Sequence, residues 1–319
     1  MIQRRVVGVC RRRAIAWGLL GGLFIAGCAP AESAKPQVTV QAEHRNAVQA
    51  LQALDVHVSI DKGGVPLAAT LTGEQIDDAA LAHLSGLTKL QQLYLTKTGV
   101  SDAGMSALSG LTELKLLHMY DNAGVGDAGV SHLTGLAALE KVVLAGQPIT
   151  DAGMAAFAGW SQLRELELAS DAVQGDGLQH LAALPQLQRL ILTGAELNGA
   201  GLKRLAAAPA LEELHLAGRR VNGESLRDLT GPATLKILVL NKTQVEDAGL
   251  VHLRQLPQLE TLMLESTPVS DAGLEHVAGI STLKAVNLMG TQVSLDAASK
   301  FRDEHPGIGV TYRFPRHGE

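Results

Sequence analysis

Leucine and other aliphatic residues recur along the chain in one pattern, Leu-x-x-Leu-x-Leu, in which x is any residue. The pattern first appears as Leu90, Leu93 and Leu95, and it returns eight times at intervals of 24 residues, with one interval of 25. Because side chains alternate along a strand, the residue between the last two leucines points away from the apolar side. A fixed period of this length predicts a solenoid, in which each unit buries its apolar side only against its neighbours.

The second half of each unit predicts a turn and then a short helix. A hydroxyl or amide residue three places after the last leucine, such as Thr98 or Asn122, is expected to bond to the backbone of the turn. A Ser/Thr-Asp-Ala-Gly segment follows, which predicts a helix N-cap at the hydroxyl residue and an aspartate that the helix dipole favours. The glycine is expected to allow close packing between helices. The expected caps and aspartates are Ser101, Thr150, Ser270, Ser294, Asp102, Asp151 and Asp271.

Three central units depart from this signature. Glycine stands in place of the aspartate at Gly175, Gly199 and Gly223. The substitution is consistent with neutral sequence drift, and it is also consistent with a central segment adapted to bind a partner.

The strand pattern is the signature of leucine-rich repeats. The unit of 24 residues with its Asp-Ala-Gly-Leu segment resembles the GALA-type subclass, which occurs in bacterial lipoproteins and secreted effectors, from Leu71 to about Val293. The resemblance implies an α/β solenoid shaped as a horseshoe, with a parallel sheet on the concave face and helices on the convex face. It supplies no catalytic residues.

The start of the chain resembles an export signal of a second family. Basic residues precede an uncharged apolar run, Ala14 to Gly27, which has the length of a signal-peptide core. The run ends in Ile25-Ala26-Gly27-Cys28, which resembles the bacterial lipobox; in that family the cysteine receives acyl chains, palmitate among them, and the chain is cut just before it. The resemblance implies a lipid anchor at Cys28 in the cell envelope, and the outer membrane if the cell is Gram-negative. An ordinary cleaved signal and an uncleaved anchor are the alternatives.

These patterns divide the chain into five parts. A signal peptide is expected at 1–27 and a flexible tether at 28–39. An N-terminal cap at 40–62 is expected to hold a helix from Val40 to Leu54 and a strand from Val56 to Ile60. About ten repeats fill 63–293, and a C-terminal cap takes 294–319, with its aromatic residues Phe301, Tyr312 and Phe314 over the last core layer.

Composition narrows the function. The chain has 27 basic and 32 acidic residues, and loss of the five arginines in residues 1–27 leaves 22 basic residues and a net charge of −10. A net negative charge argues against nucleic acid as a partner. Aromatic residues make up only 3% of the chain, which argues against a surface on which bases or sugars stack. With only two cysteines no disulfide framework is expected. No cofactor, metal or catalytic site is predicted: the histidines at one helix position (His83, His132, His180, His252 and His276) occupy a slot expected to face solvent.

The outward side of the sheet is the candidate site. It combines an aromatic cluster near the N-terminal end, a charged middle and an apolar patch near the C-terminal end, and apolar anchors beside charges are typical of protein-binding surfaces. We therefore expect a protein or peptide partner on this face and membrane contact through the lipid anchor. A structural spacer that binds nothing specific is the alternative, and an enzyme is a distant third. The predicted partner-binding residues are Tyr94, Leu116, His118, Tyr120, Glu165, Glu167, Arg189, Glu213, His215, Ile237, Val239, Thr261 and Met263.

Overall fold

A computed structural model describes residues 39–195, 197, 199–218, 221–229 and 231–312. The predicted signal peptide, Cys28, nearly all of the tether and Phe314 lie outside these residues. No helix in the described ranges is long and apolar enough to cross a bilayer.

One twelve-stranded sheet runs through the described part of the chain, with its strands in sequence order. Strands β2 to β12 pair in parallel, and only β1 and β2 pair antiparallel because β1 returns through a tight turn. The strands are β1 (His57–Ile60), β2 (Pro66–Thr72), β3 (Gln92–Thr96), β4 (Leu116–Tyr120), β5 (Lys141–Ala145), β6 (Glu165–Ala169), β7 (Arg189–Thr193), β8 (Glu213–Ala217), β9 (Ile237–Val239), β10 (Thr261–Met263), β11 (Ala285–Asn287) and β12 (Gly309–Thr311).

Short helices connect the strands and cover one side of the sheet. Several units hold a 3₁₀ turn where an α-helix was expected, for example Gly104–Leu108 and Gly153–Gly159. The α-helices are α1 (Arg45–Ala53), α2 (Asp78–Ala82), α3 (Asp127–Ser131), α4 (Leu178–Ala182), α5 (Gly199–Arg204), α6 (Gly223–Arg227), α7 (Asp247–Leu250), α8 (Gly273–Ala278) and α9 (Leu295–Glu304). The remaining 3₁₀ segments are His83–Gly86, Leu205–Ala207 and Val251–Gln255.

The core lies between the sheet and the helices. The leucine pattern places Leu93 opposite Leu117 and Leu95 opposite Met119 in adjacent strands, and all four side chains are fully buried. The same register continues from β3 to β11, so that each layer packs on the next. The parallel layers confirm the predicted α/β solenoid.

The turn after each strand is tied to the next layer. Lys97, Asp121, Lys242 and Ser266 share one position and a positive φ between 52° and 58°. In this conformation the Lys97 amide donates to the carbonyl of Tyr120 in the next strand, at 2.8 Å, and the Lys242 amide donates to that of Glu265 at the same distance. The geometry costs an ordinary residue about 1 kcal/mol, which the hydrogen bonds between layers offset.

A buried polar side chain follows this turn, as predicted for Asn122. Its Oδ1 accepts from the Thr98 amide at 3.0 Å, and its Nδ2 donates to the Leu95 carbonyl at 2.9 Å. Asp171 occupies the same position two units later, and its side chain is exposed. Ser170, one residue earlier, is buried instead and donates to the carbonyl of Ile149 at 2.7 Å, since a buried carboxylate would need a cation or several donors.

The aspartates of the Asp-Ala-Gly segments cap the next unit rather than their own, which corrects the prediction. The Oδ1 of Asp102 accepts from the amides of Gly126 and Gly129 in the next unit, at 2.7 and 2.8 Å. Asp127 likewise accepts from the amide and the hydroxyl of Thr150, at 2.8 and 2.6 Å. Asp78, Asp151, Asp247 and Asp271 do the same, and we call this contact the aspartate clamp.

The hydroxyl residues keep part of their predicted role. Ser294 is a helix N-cap, whose oxygen accepts from the amide of Ala297 at 3.2 Å. Ser101, Thr150 and Ser270 accept from the amide two residues ahead, at 3.2, 3.1 and 3.4 Å, while their hydroxyls donate to the clamp carboxylates. They therefore link the clamp to the start of the helical segment.

The three central units supply no clamp to the unit that follows each of them, because glycine replaces the aspartate. Where Gly223 stands, its α-carbon lies against Gly249 of the next unit, and no β-carbon fits between them. The helix α6 is capped locally instead, because Asn222 Oδ1 accepts from the Ser225 amide at 3.0 Å. An open hollow of about 370 Å³ lies beside this contact, between Asn222 and His252.

The ends of the described solenoid are covered by helices. The helix α1 begins at Arg45, five residues later than predicted, because the chain from Gln41 to His44 forms a turn whose Gln41 amide donates to the Gly64 carbonyl at 3.0 Å. Val48 and Leu51 of α1 are buried against the first layers. At the other end, Phe301 of α9 is buried on the last layer, with Tyr312 packed beside it.

Candidate binding face

The structure places all thirteen predicted partner-binding residues on one side of the sheet. We call this side the open face, because the leucines between these positions point the other way into the core. Hydrogen-bonded register aligns the residues in columns that run across the strands. The first column is Leu116, Lys141, Glu165, Arg189, Glu213, Ile237 and Thr261, and the second is Tyr94, His118, Val143, Glu167, Ile191, His215, Val239 and Met263.

Aromatic rings meet at the N-terminal end of the open face. The rings of Tyr94 and His118 lie edge to face, with centroids 5.8 Å apart and an interplanar angle of 62°. Tyr120 stands at the end of the same strand as His118 and keeps 45% of its surface exposed. An exposed tyrosine beside a pre-packed aromatic pair offers apolar contact area that loses little conformational freedom on binding.

The charged middle is largely neutralised by contacts between neighbouring strands. Lys141 Nζ lies 2.6 Å from Glu165 Oε2, and Arg189 Nε lies 3.1 Å from Glu213 Oε1. The same Glu213 oxygen lies 2.5 Å from His215 Nε2. Partial burial on its own would raise the pKa of Glu213, but the hydrogen bonds and charges of His215 and Arg189 outweigh it and hold this pKa below its ordinary value.

Glu167 differs from its neighbours in this middle. Its carboxylate has no hydrogen-bond or ion-pair partner in the part of the chain that the structure describes, and its side chain is half-buried. In the second column it lies between Val143 on β5 and Ile191 on β7.

An apolar patch lies at the C-terminal end of the open face, as predicted. Ile237 pairs with Thr261 and Val239 pairs with Met263, and all four side chains are partly exposed. Ala285 continues the patch on β11. This patch and the aromatic pair stand at opposite ends of one column, about 35 Å apart at the usual strand spacing.

Three residues of the open face were missed from the predicted set. Val143 and Ile191 join the aromatic end to the apolar end through the second column, and Lys141 neutralises Glu165. Their fixed offset from the leucines gave their position, but only the register shows which side chains meet.

The described residues hold no group of three or more histidine, cysteine, aspartate or glutamate side chains placed to bind a metal ion. The five histidines of the shared helix position follow one another along the helix side, on the opposite side of the core from the open face. Their side chains are exposed or half-exposed.

Comparison with known proteins identifies the repeat. Residues 86–109 match the family model described as Leucine Rich repeat. An internalin from Listeria monocytogenes str. 4b F2365, known from its crystal structure, is 18% identical over 73% of this chain and 83% of the internalin, with a TM-score of 0.35. No curated protein matches the chain. The matched repeat and the parallel sheet make the fold a leucine-rich-repeat solenoid, a fold that commonly binds proteins along its sheet.

Proposed function

We propose that this protein is a recognition module of the cell envelope, which binds a protein or peptide across its open face. The 24-residue Asp-Ala-Gly-Leu units support a place in the GALA-type subclass of leucine-rich repeats. In this proposal the protein binds its partner without catalysing a reaction. A spacer that binds nothing specific is the competing proposal.

One observation carries the binding proposal. Partly exposed apolar, aromatic and histidine side chains continue across eight adjacent strands in the second column, and Glu167 is the one carboxylate among them. Isolated apolar residues on a surface are ordinary, but a contiguous row on a rigid sheet indicates an interaction surface. The sheet also holds these side chains in place before a partner arrives, which lowers the entropic cost of binding.

We further propose that acyl chains on Cys28 anchor the module to the envelope, in the outer membrane if the cell is Gram-negative. The support is the basic start, the apolar run and the Ile25-Ala26-Gly27-Cys28 ending. More than one acyl chain is needed for stable residence in a membrane. An anchored solenoid would search for its partner close to the membrane surface.

Surface substitution in intact cells tests the binding proposal. Proteins neighbouring the wild type are crosslinked and quantified by mass spectrometry, and the experiment is repeated with Tyr94→Ala and His118→Ala together, and with Met263→Asp. Both variants should lose the same neighbours. Val251→Asp, at an exposed residue on the helix side, should keep them. Identical neighbours for all four proteins would support the spacer instead.

The anchor is tested separately with Cys28→Ser. Metabolic labelling with a fatty-acid analogue should mark the wild type and not the variant, and the variant should move to the soluble fraction. A variant that stays in the membrane fraction would overturn the anchor proposal and leave the binding proposal standing.

A further inference from the structure

We propose that the partner presents a lysine or arginine to Glu167, with apolar side chains on both sides of the cation. This inference rests on the proposed function, because it names the chemistry of the partner that the open face would bind.

The other carboxylates of the charged middle are already occupied. Glu165 lies 2.6 Å from the ammonium of Lys141, and Glu213 is shared by Arg189 and His215 at 3.1 and 2.5 Å. These contacts also occupy the cations of the same region, so neither Lys141 nor Arg189 neutralises Glu167. Among the described residues of the two columns, Glu167 therefore keeps the one carboxylate that has no partner.

The surroundings of Glu167 determine which chemical groups a partner must present to it. Val143 and Ile191 flank it in the second column, and both keep part of their side chains exposed. A partner that covers these two residues also covers the carboxylate between them and removes its water. A covered carboxylate is strongly unfavourable unless a cation or several donors replace that water. An apolar or acidic segment would therefore be rejected, while a cation flanked by apolar groups would match both features.

Lysine and arginine fit this position better than a metal ion or a nucleic-acid base. A single carboxylate is too few ligands for a metal ion, and the net charge of −5 on the chain disfavours phosphate groups. Each row of the sheet is about 4.8 Å from the next. The flanking apolar groups of the partner should therefore stand about 5 Å on either side of its cation.

A selection experiment tests the inference and keeps it separate from the proposed function. A phage-displayed library of random 12-residue peptides is panned against the full-length protein in detergent, and in parallel against Glu167→Lys and Glu165→Gln. The wild type and Glu165→Gln should both enrich peptides with a lysine or arginine between apolar residues. Glu167→Lys should enrich aspartate or glutamate at that place. Thermal unfolding of each variant checks that its fold is retained.

The peptide most enriched by the wild type is then measured by fluorescence anisotropy. Glu167→Gln should weaken the binding of this peptide about ten-fold. A peptide whose cation is replaced by glutamine should also bind the wild type more weakly. On Glu167→Gln the original and the altered peptide should bind equally, as expected for a direct charge pair. Enriched peptides without a cation, or the same peptides on Glu167→Lys, would overturn the inference alone. No enrichment on any of the three proteins, or binding that neither Glu167→Gln nor Met263→Asp weakens, would overturn the proposed function.

Discussion

The carboxylate of Asp127 fills the space that a side chain on Gly153 would need. A β-carbon at Gly153 would lie 2.2 Å from Asp127 Oδ1, although the two residues belong to successive repeats. Gly104 has the same relationship to Asp78, and Gly273 has it to Asp247. The glycine of the repeat is therefore required by the aspartate of the repeat before it, and the two form one contact between layers.

A methyl group at Gly153 should destabilise the fold, although alanine favours helical segments more than glycine does. Gly153→Ala is expected to lower the free energy of unfolding by about 1–3 kcal/mol, the usual cost of overpacking. Gly86→Ala, at a position with open space around it, should change the stability by less than about 1 kcal/mol. Urea unfolding followed by circular dichroism measures both. Equal effects at the two positions would show that the clamp does not constrain Gly153.

Removal of a clamp carboxylate should also be costly. Asp127→Ala leaves the amide and hydroxyl of Thr150 without their acceptor, so we expect a loss of about 2 kcal/mol, as for hydrogen bonds to charged groups. Asp171→Ala removes an exposed aspartate outside the clamp and should change stability by less than about 0.5 kcal/mol. Matched unfolding midpoints for these two variants would contradict the structural role of the clamp.

The central units should open more readily than the rest of the solenoid. Gly175, Gly199 and Gly223 stand where the clamp aspartate would be, so three successive contacts between layers have no clamp carboxylate. Amide hydrogens of α5, α6 and α7 should therefore exchange about ten-fold faster than those of α3, as expected for a region of lower local stability. Hydrogen exchange resolved by mass spectrometry of peptides checks this. Uniform protection from α2 to α8 would show that packing alone sets local stability.

Acid should weaken the contact between Glu213 and His215. The pKa of Glu213 is lowered in the folded protein, so its contribution to stability is complete above the ordinary carboxyl value and is lost as pH falls through the folded value. Wild type should therefore exceed Glu213→Gln in stability at pH 7, by no more than about 1 kcal/mol because solvent screens the contact. The difference should shrink once the pH falls below the ordinary carboxyl pKa, and it should vanish below the lowered pKa of Glu213. Glu212→Gln is the control, because the carboxylate of Glu212 is half-exposed and pairs with Lys236 at 3.1 Å. The wild type should exceed this variant in stability at pH 7 by a smaller amount.

Much of the fold followed from the leucine pattern, since a period of 24 residues determines which side chains share a layer. Leu93, Leu117 and their counterparts stack as predicted. The use of Asp102 for the next unit was not predicted, because a local pattern shows which residue is near a helix start but not which layer it serves. The buried hydrogen bond of Ser170 was also missed, because in this unit the buried polar residue lies one place closer to the last leucine than in the other units.

The position of the open face was predicted from the sequence, but the pairing of its charged side chains was not. The alternation of side chains placed Glu165, Glu167 and Glu213 on one side of the sheet. Which of them are neutralised depends on the reach of Lys141 and Arg189 across neighbouring strands. The sequence carries no such distances, so the singular position of Glu167 emerged only from the structure.

Photocrosslinking around one layer tests most directly whether the open face is the binding surface. A photoreactive amino acid is placed at Ile191 on the open face or at Lys203 on the helix side, in cells that express the full chain. We predict a discrete crosslinked product from Ile191 that Met263→Asp abolishes, and none of that product from Lys203. The same product from both positions, or no product from Ile191, would contradict the account.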